Sequence, residues 1–155
     1  MKKRRRDATF ANPVTQAVIR QQIRQSIEIL KTDAWLQALA GDAADRLVRD
    51  AGMLLYAVAC AIELCGIPAD HPDVRVLRGT TQAIGELAEH LGRLDQHRPA
   101  ILSGLAAMER LMPFLAVEAL GAGLMECDER IRESGFGTKD IHAKLVGTTM
   151  ESDQD

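Results

Sequence analysis

Aromatic residues are scarce in this sequence: its 155 residues include one Trp, one Tyr and three Phe. A β-sandwich draws heavily on aromatic and β-branched side chains, so this composition offers it little. Alanine is abundant, and it is the residue that favours helices most strongly. A chain of this length can also bury a substantial core as a single domain. We therefore predict one all-α domain.

Long apolar runs are absent as well. The most apolar stretch is residues 42–66, and even there only twelve uncharged residues separate Asp50 from Glu63. A membrane-spanning helix needs about 20 apolar residues, so we expect no membrane partner. The stretch is nevertheless apolar over more than one stripe, which a helix tolerates only when neighbours cover most of its circumference. It predicts the central helix of the domain.

Cysteines are few and odd in number, namely Cys60, Cys65 and Cys127. Two of them lie in the most apolar stretch, which is typical of buried thiols in a reducing compartment. The basic start MKKRRR is followed by DATFANPVTQ and not by the apolar segment of a secretory signal. The expected location is therefore the cytoplasm.

Motifs that would indicate catalysis are missing. No G-x-S-x-G elbow and no phosphate-binding loop with its lysine is present. Glu86 and His90 share a helix face at i, i+4, as chelating pairs do, but the repeated Glu-x-x-His of di-iron bundles and a Cys-x-x-Cys pair are both missing. We predict no catalytic, cofactor-binding or metal-binding residues, and a metal-dependent enzyme is the least favoured alternative. Any role stays open for His71, His90 and His97.

Apolar residues recur with helical spacing along most of the chain. Asn12 with Pro13 is a helix-start signal, Asp42 and Asp70 are further N-cap candidates, and Gly66 is a C-cap candidate. Short connections make neighbouring helices antiparallel, and the second helix should be the most buried. The prediction is an antiparallel bundle of four main helices, at about residues 13–40, 42–66, 72–96 and 99–119.

Charge and polarity divide the chain into three parts. At its start an unbroken basic run has no apolar pattern that could repay the entropy of ordering it. The end, MESDQD, has none either. We expect a disordered basic arm over residues 1–12, the helical bundle over 13–134, and a mostly disordered acidic tail over 135–155, in which residues 139–146 could form a turn of helix.

One face of the central helix lacks a polar edge. Charge on it is confined to its two ends, so the row between them has to be covered. Either residues 114–131 fold back over it or a second subunit does. A proline and two glycines make that segment a poor rigid lid, whereas an isologous pair covers both apolar surfaces. We therefore predict a homodimer, with Met53, Tyr56 and Cys60 as the interaction residues.

The basic run indicates a competing function. It consists of Lys2, Lys3, Arg4, Arg5 and Arg6. Such a run is either a solubilising terminus or an arm that binds phosphates with salt-dependent, sequence-blind affinity. Residues 87–99 partly match a helix-turn-helix, but Arg93 stands where an apolar residue is usual and Pro99 falls inside the would-be recognition helix. DNA or RNA binding is therefore the alternative function.

The order of features is itself informative. A Lys/Arg-rich start is followed by a helix opening at Asn12-Pro13, by DAWL at residues 33–36, by an Ala/Leu-rich bundle and by a short tail. Over roughly residues 2–115 this order resembles that of small helical proteins carried by proteobacterial prophages and integrated elements. The resemblance implies an accessory or regulatory protein that binds a host or phage macromolecule, and it supplies no catalytic residues. The predicted function is non-enzymatic binding of another macromolecule, with the partner unknown.

Overall fold

The computed structural model describes residues 12–133 and 138–146. Within these ranges the chain is helical throughout apart from short connections, and no strand occurs in them. Turns of 3-10 helix at Leu91–Arg93 and Met112–Phe114 flank the fourth helix. The prediction of an all-α fold is confirmed. The α-helices are α1 (Pro13–Ala40), α2 (Ala44–Cys65), α3 (Pro72–Glu89), α4 (Leu94–Leu111), α5 (Val117–Glu133) and α6 (Thr138–Val146).

Helix α2 is the centre of the bundle. Fourteen of its 22 residues are buried, including Leu55 and Val58, which are 0% exposed. Helices α1, α3, α5 and α6 pack around it. The prediction that the second helix is the most buried is therefore confirmed. In the part of the chain that the structure describes, no helix has the length and apolarity needed to cross a membrane.

Helices α3 and α4 form an antiparallel hairpin in contact along its length. Asp73 near the start of α3 bonds Arg110 near the end of α4, at 2.8 Å. Midway along the hairpin the two helices are close, because a Cβ added to Gly104 would lie 2.1 Å from Oγ1 of Thr80. Small residues therefore occur in this hairpin where the two backbones approach each other.

An arginine from α4 holds the C-terminal end of α1. The Arg98 guanidinium donates to the backbone carbonyls of Gln37, Ala38 and Gly41, at 3.1, 2.9 and 2.6 Å. The last turn of a helix leaves carbonyls without partners and carries the negative end of the helix dipole. Arg98 therefore satisfies these groups and fixes α1 to the α3–α4 hairpin.

Two predicted helix ends are confirmed. The side chain of Asn12 caps α1 by accepting from the N–H of Val14 at 3.0 Å, and Pro13 occupies the first helical position. Gly66 ends α2 with a φ of 73°, a left-handed conformation that glycine adopts at little cost. Both signals depend only on residues close in sequence.

Two predicted N-caps are wrong. The residue that precedes α2 is Ala43, no side chain caps this helix, and Asp42 lies one residue too early. At the start of α3, Nδ1 of His71 accepts from the N–H of Asp73 at 3.1 Å, in the place predicted for Asp70. In both cases the residue directly before the first helical position occupies the cap. His71 therefore has a structural role.

The boundaries between the third and fourth helices also differ from those predicted. Helix α3 ends at Glu89 and not near residue 96, and α4 begins at Leu94, five residues before Pro99. Pro99 deprives the carbonyl of Asp95 of its N–H partner, and α4 nevertheless continues through it.

Two helices follow α4. Helix α5 is the fifth long helix, and it covers most of the segment 114–131 that the sequence indicated as a poor rigid lid. Helix α6 lies in the predicted acidic tail, and its Ile141 and Leu145 are buried in the core. The expectation of a mostly disordered tail is therefore corrected for residues 138–146, and the helical body extends beyond residue 134. The remaining predicted disorder falls outside the described residues.

Candidate interaction surface

The face of α2 that carries Met53, Tyr56 and Cys60 is covered from within the chain. Helix α5 lies so close that a Cβ at Gly123 would be 2.9 Å from the Cβ of Cys60, and α6 also packs against α2. Tyr56 is 0% exposed, Cys60 is 3% exposed and Met53 is partly buried. This corrects the interpretation of the three residues as an interaction surface, because they belong to the core. The homodimer predicted through this face loses its basis.

Tyr56 is held by polar side chains of the covering helices. Its hydroxyl donates to Oε2 of Glu126 on α5 at 2.5 Å. Nζ of Lys144 on α6 lies 3.4 Å from the same oxygen, 3.4 Å from Oε1 of Glu63 and 5.8 Å from the Tyr56 ring centroid. Burial and the bond to Glu126 raise the pKa of Tyr56, and the Tyr56 hydroxyl holds the pKa of Glu126 below its usual range. The cluster ties α2, α5 and α6 together.

Two of the three cysteines are buried. Cys60 and Cys127 are 3% and 0% exposed, and burial raises the pKa of each thiol to about 11. Both are therefore neutral thiols near pH 7, and a neutral thiol is not a nucleophile. Cys65 was expected to be buried but is exposed at the end of α2, where its Sγ accepts from the N–H of Ala116 at 3.5 Å.

The metal-binding candidates do not assemble. His97 is buried, with its Nε2 4.0 Å from Oε1 of Glu86. His90 is exposed just beyond the end of α3. Among the described residues, no three His, Cys, Asp or Glu side chains are grouped so as to share a metal ion. The pair of Glu86 and His90 therefore has no third ligand there.

Residues 87–99 do not form a helix-turn-helix. That motif sets its two helices at about 90–120° to each other, whereas α3 and α4 run antiparallel. Leu87 and Leu94 are buried inside this hairpin. This part of the nucleic-acid hypothesis is therefore corrected. The basic residues from Lys2 to Arg6 lie outside the described residues.

Helix α1 has two faces of different character. On the inner face Ile27, Ala34 and Ala38 are buried. On the opposite face, positions that recur at alternating steps of four and three are all exposed, and this spacing aligns a row of side chains along one side of a helix. We call this row the outer stripe; it consists of Val18, Gln22, Gln25, Ile29, Thr32, Leu36 and Leu39.

The apolar members of the outer stripe are well exposed. Val18 is 51% exposed, Ile29 69%, and Leu36 and Leu39 60% each. Single exposed apolar residues are normal on a protein surface, whereas four on one row of a helix make that row a candidate interaction site. No member of the row carries a charge. The outer stripe is therefore the strongest candidate for a contact surface.

The first part of α1 is the most exposed part of this helix, although Arg20 there bonds Glu118 of α5. Every residue from 13 to 22 is exposed, including Ile19 at 49%. The helix meets α5 closely at Ile23, where a Cβ on Gly121 would lie 2.5 Å from its side chain. Isolated helices shorter than about 12–15 residues are marginal in water. The first turns therefore gain stability from their continuity with the packed half of α1 and from the Arg20–Glu118 pair.

Two apolar grooves flank the crossing of α1 and α5. The larger has a volume of about 460 Å³ and lies between residues 19–26 of α1 and α5. The smaller, of about 260 Å³, lies on the other side of the crossing. Only the larger groove includes a residue of the outer stripe, Gln22. Their apolar walls include Ile19, Ala122, Leu124 and Met125 in the larger groove, and Ile27, Met112, Leu115 and Leu120 in the smaller one.

A charged contact fixes α1 to α2 beside the outer stripe. Two nitrogens of Arg46 donate to the two carboxylate oxygens of Asp33, at 2.7 and 2.9 Å. Asp50 is 6% exposed and accepts from Arg49 at 3.2 Å. The Asp50 carboxyl and the Arg46 guanidinium hold the pKa of Asp33 below its usual range, while burial raises the pKa of Asp50. Asp33 is therefore paired within the chain.

The sequence analysis did not identify the outer stripe, although its alternating steps of four and three residues are present in the sequence. Three of the seven positions are polar, so the inner row of isoleucine, leucine and alanine gave the stronger signal. Only the packing shows that the weaker row also holds four large apolar side chains that are exposed to solvent.

A scan of family models, a search of curated proteins and a search of solved structures each find no match to this chain.

Proposed function

We propose that this protein is a non-enzymatic accessory or regulatory protein that binds another protein through the outer stripe of α1. The observation that supports this is the stripe itself, an uncharged row over residues 18–39 on the face opposite to the core. Folding does not require apolar residues on an exposed face, so a partner is the simplest reason for them. Three unpaired thiols suit a cytoplasmic protein.

The outer stripe and the residues that flank it are better suited to bind a protein than a polyanion such as nucleic acid. Glu28 and Asp33 flank the outer stripe and are already paired, with Lys31 at 2.8 Å and Arg46 at 2.7 Å. Association would be driven by burial of apolar area, at about 25 cal/mol per Å². The amide and hydroxyl groups of the row can set the register of the contact. A helix that presents its own apolar row is the partner shape that fits such a surface.

The experiment is capture from a lysate of the native host with the full chain as bait. The test variant carries Ile29→Glu and Leu36→Glu, which place two charges in the outer stripe. The control is Leu64→Glu, because Leu64 is 65% exposed near the end of α2 and is not part of the outer stripe. All changes are at exposed positions, so each variant should keep its free energy of unfolding to within about 0.5 kcal/mol.

We expect the wild type and the control to retain the same protein and the stripe variant to lose it. Treatment of the lysate with nuclease should leave the capture unchanged. Equal retention by the stripe variant would refute the proposal, and so would loss that occurs only in the control.

Nucleic-acid binding is the second candidate, favoured by charge at the start of α1. Between residues 13 and 27 the only charged residues are Arg20 and Arg24, both exposed, and the run from Lys2 to Arg6 precedes them. Phosphate contacts make affinity fall steeply with salt. This candidate predicts binding of duplex DNA at low salt that disappears when all five residues of the run become glutamine. Absence of binding at low salt excludes it.

A further inference from the structure

We infer that α6 is a strap that opens separately from the bundle, and that the groove beneath it binds a partner helix of the same residue pattern. In α6 this pattern is a pair of apolar residues four apart, Ile141 and Leu145, with a cation, Lys144, directly before the second. The inference goes beyond the proposed function, because it concerns a different helix and a different surface from the outer stripe. It rests on how α6 is held and on the charge of its site.

Helix α6 is held by few side chains. It has nine residues, and isolated helices shorter than about 12–15 residues are marginal in water, so its helical form depends on docking. It packs against α2 and α3. Within residues 141–145, Ile141 and Leu145 are buried, whereas His142 and Ala143 are exposed. An element held by few buried contacts opens at a lower free energy than the whole domain unfolds.

Lys144 supplies the charged contact of the strap. Its Nζ lies 3.4 Å from Oε1 of Glu63 on α2 and 3.4 Å from Oε2 of Glu126 on α5. The Lys144 side chain is 21% exposed, so water and salt screen these contacts less than those of a surface pair. Arg130 also approaches Glu126, at 3.8 Å, so Glu63 is the carboxylate that depends more on the strap. An occupant of this site therefore has to supply a cation.

The seated helix shows which partner fits the groove. Residues four apart lie on one face of a helix, so Ile141 and Leu145 enter the groove together. Helix-in-groove recognition uses apolar anchors at this spacing. A partner helix has to displace α6, and the apparent affinity of a site that is open for only a fraction of the time falls by that fraction. Helix α6 is therefore an internal competitor for the groove.

Hydrogen exchange in the full chain, measured by mass spectrometry, tests whether α6 opens separately. Its amides should exchange at least about a hundredfold faster than the buried amides of α2. Lys144→Ala should speed exchange in α6 about tenfold further, because charge-assisted contacts are lost, and should leave α2 unchanged. The matched control is His142→Ala, at an exposed position of the same helix, which should not speed exchange in either helix.

Exchange of α6 and α2 at the same rate would show that α6 opens only when the whole domain unfolds, and would overturn the inference. An equal acceleration of both helices by Lys144→Ala would overturn it as well.

A fluorescent peptide with the sequence of residues 138–146, TKDIHAKLV, tests the groove. The receptor is the full chain with Lys144→Glu, which sets a third carboxylate beside Glu63 and Glu126 and so favours the open strap. Fluorescence anisotropy should show binding to this chain at peptide concentrations up to about 1 mM. Binding to the wild-type chain should be at least about tenfold weaker, because its own α6 occupies the groove.

The control peptide carries Lys144→Glu and should not bind the receptor. Equal binding of the two peptides, or no binding of the native peptide to the receptor, would overturn the assignment of the groove. Equal binding of the native peptide to the receptor and to the wild-type chain would show that α6 does not compete for it.

Discussion

A single hydroxyl group at position 56 links α2 to the helix that covers it. The Tyr56 O–H donates to Glu126, and a bond to a charged group is worth about 1.5–3 kcal/mol. Because 40% of the Glu126 side chain is exposed, water can partly replace the lost donor. We expect Tyr56→Phe to lower the free energy of unfolding by about 1 kcal/mol, measured by urea denaturation. In a Glu126→Ala background the same change should cost much less; an equal cost would contradict this origin.

Glu126 should also make stability depend on pH. The Tyr56 hydroxyl first, and then Lys144, hold the pKa of Glu126 below its ordinary value of 4.5 in the folded state. Such a group stabilises the fold fully above its unfolded pKa, and the contribution is lost as pH falls through the folded pKa. The stability advantage of the wild type over Glu126→Gln should therefore shrink as pH falls below about 4.5. Urea denaturation at a series of pH values measures it, and a constant difference would be contrary evidence.

At the scale of the helix, two glycines of the α3–α4 hairpin should respond oppositely to the same change. A Cβ on Gly104 would meet Thr80 at 2.1 Å, whereas one on Gly79 would have no neighbour within 4 Å. Gly79→Ala should gain about 1 kcal/mol from helix propensity, and Gly104→Ala should lose about 1–3 kcal/mol from overpacking. Unfolding free energies of the two variants test this. Stabilisation by both would mean that the hairpin is not closely packed.

How well each helix end could be predicted depended on whether its signal was local. Asn12 with Pro13 and Gly66 act on residues beside them, and both predictions are confirmed. The ordering of α6 could not be predicted from its own sequence. Its buried residues, Ile141 and Leu145, are too few to form a helix alone, and they are buried because α2 and α3 offer a surface.

At the scale of the whole molecule, the sequence showed that α2 needed a cover on every side but not which segment supplied it. On propensity alone, Gly121 and Gly123 indicated a weak helix. In the structure they are the points where the backbone of α5 approaches Ile23 and Cys60. A missing side chain therefore permits the contact that completes the core. Helix propensity accounts for the free-energy cost of a glycine within a helix. It does not account for the packing that becomes possible where glycine lets two helices approach closely.

The central claim is that the outward face of α1 is a contact surface, and photo-cross-linking tests it most directly. A benzophenone side chain replaces Ile29 in one full-length chain and Leu64 in a control, two positions that are 69% and 65% exposed. Each chain is produced in its native host and irradiated, and adducts are resolved by mass. We predict a discrete adduct from position 29 that Leu36→Glu abolishes, and none from position 64. No adduct from position 29, or the same adducts from both positions, would contradict the claim.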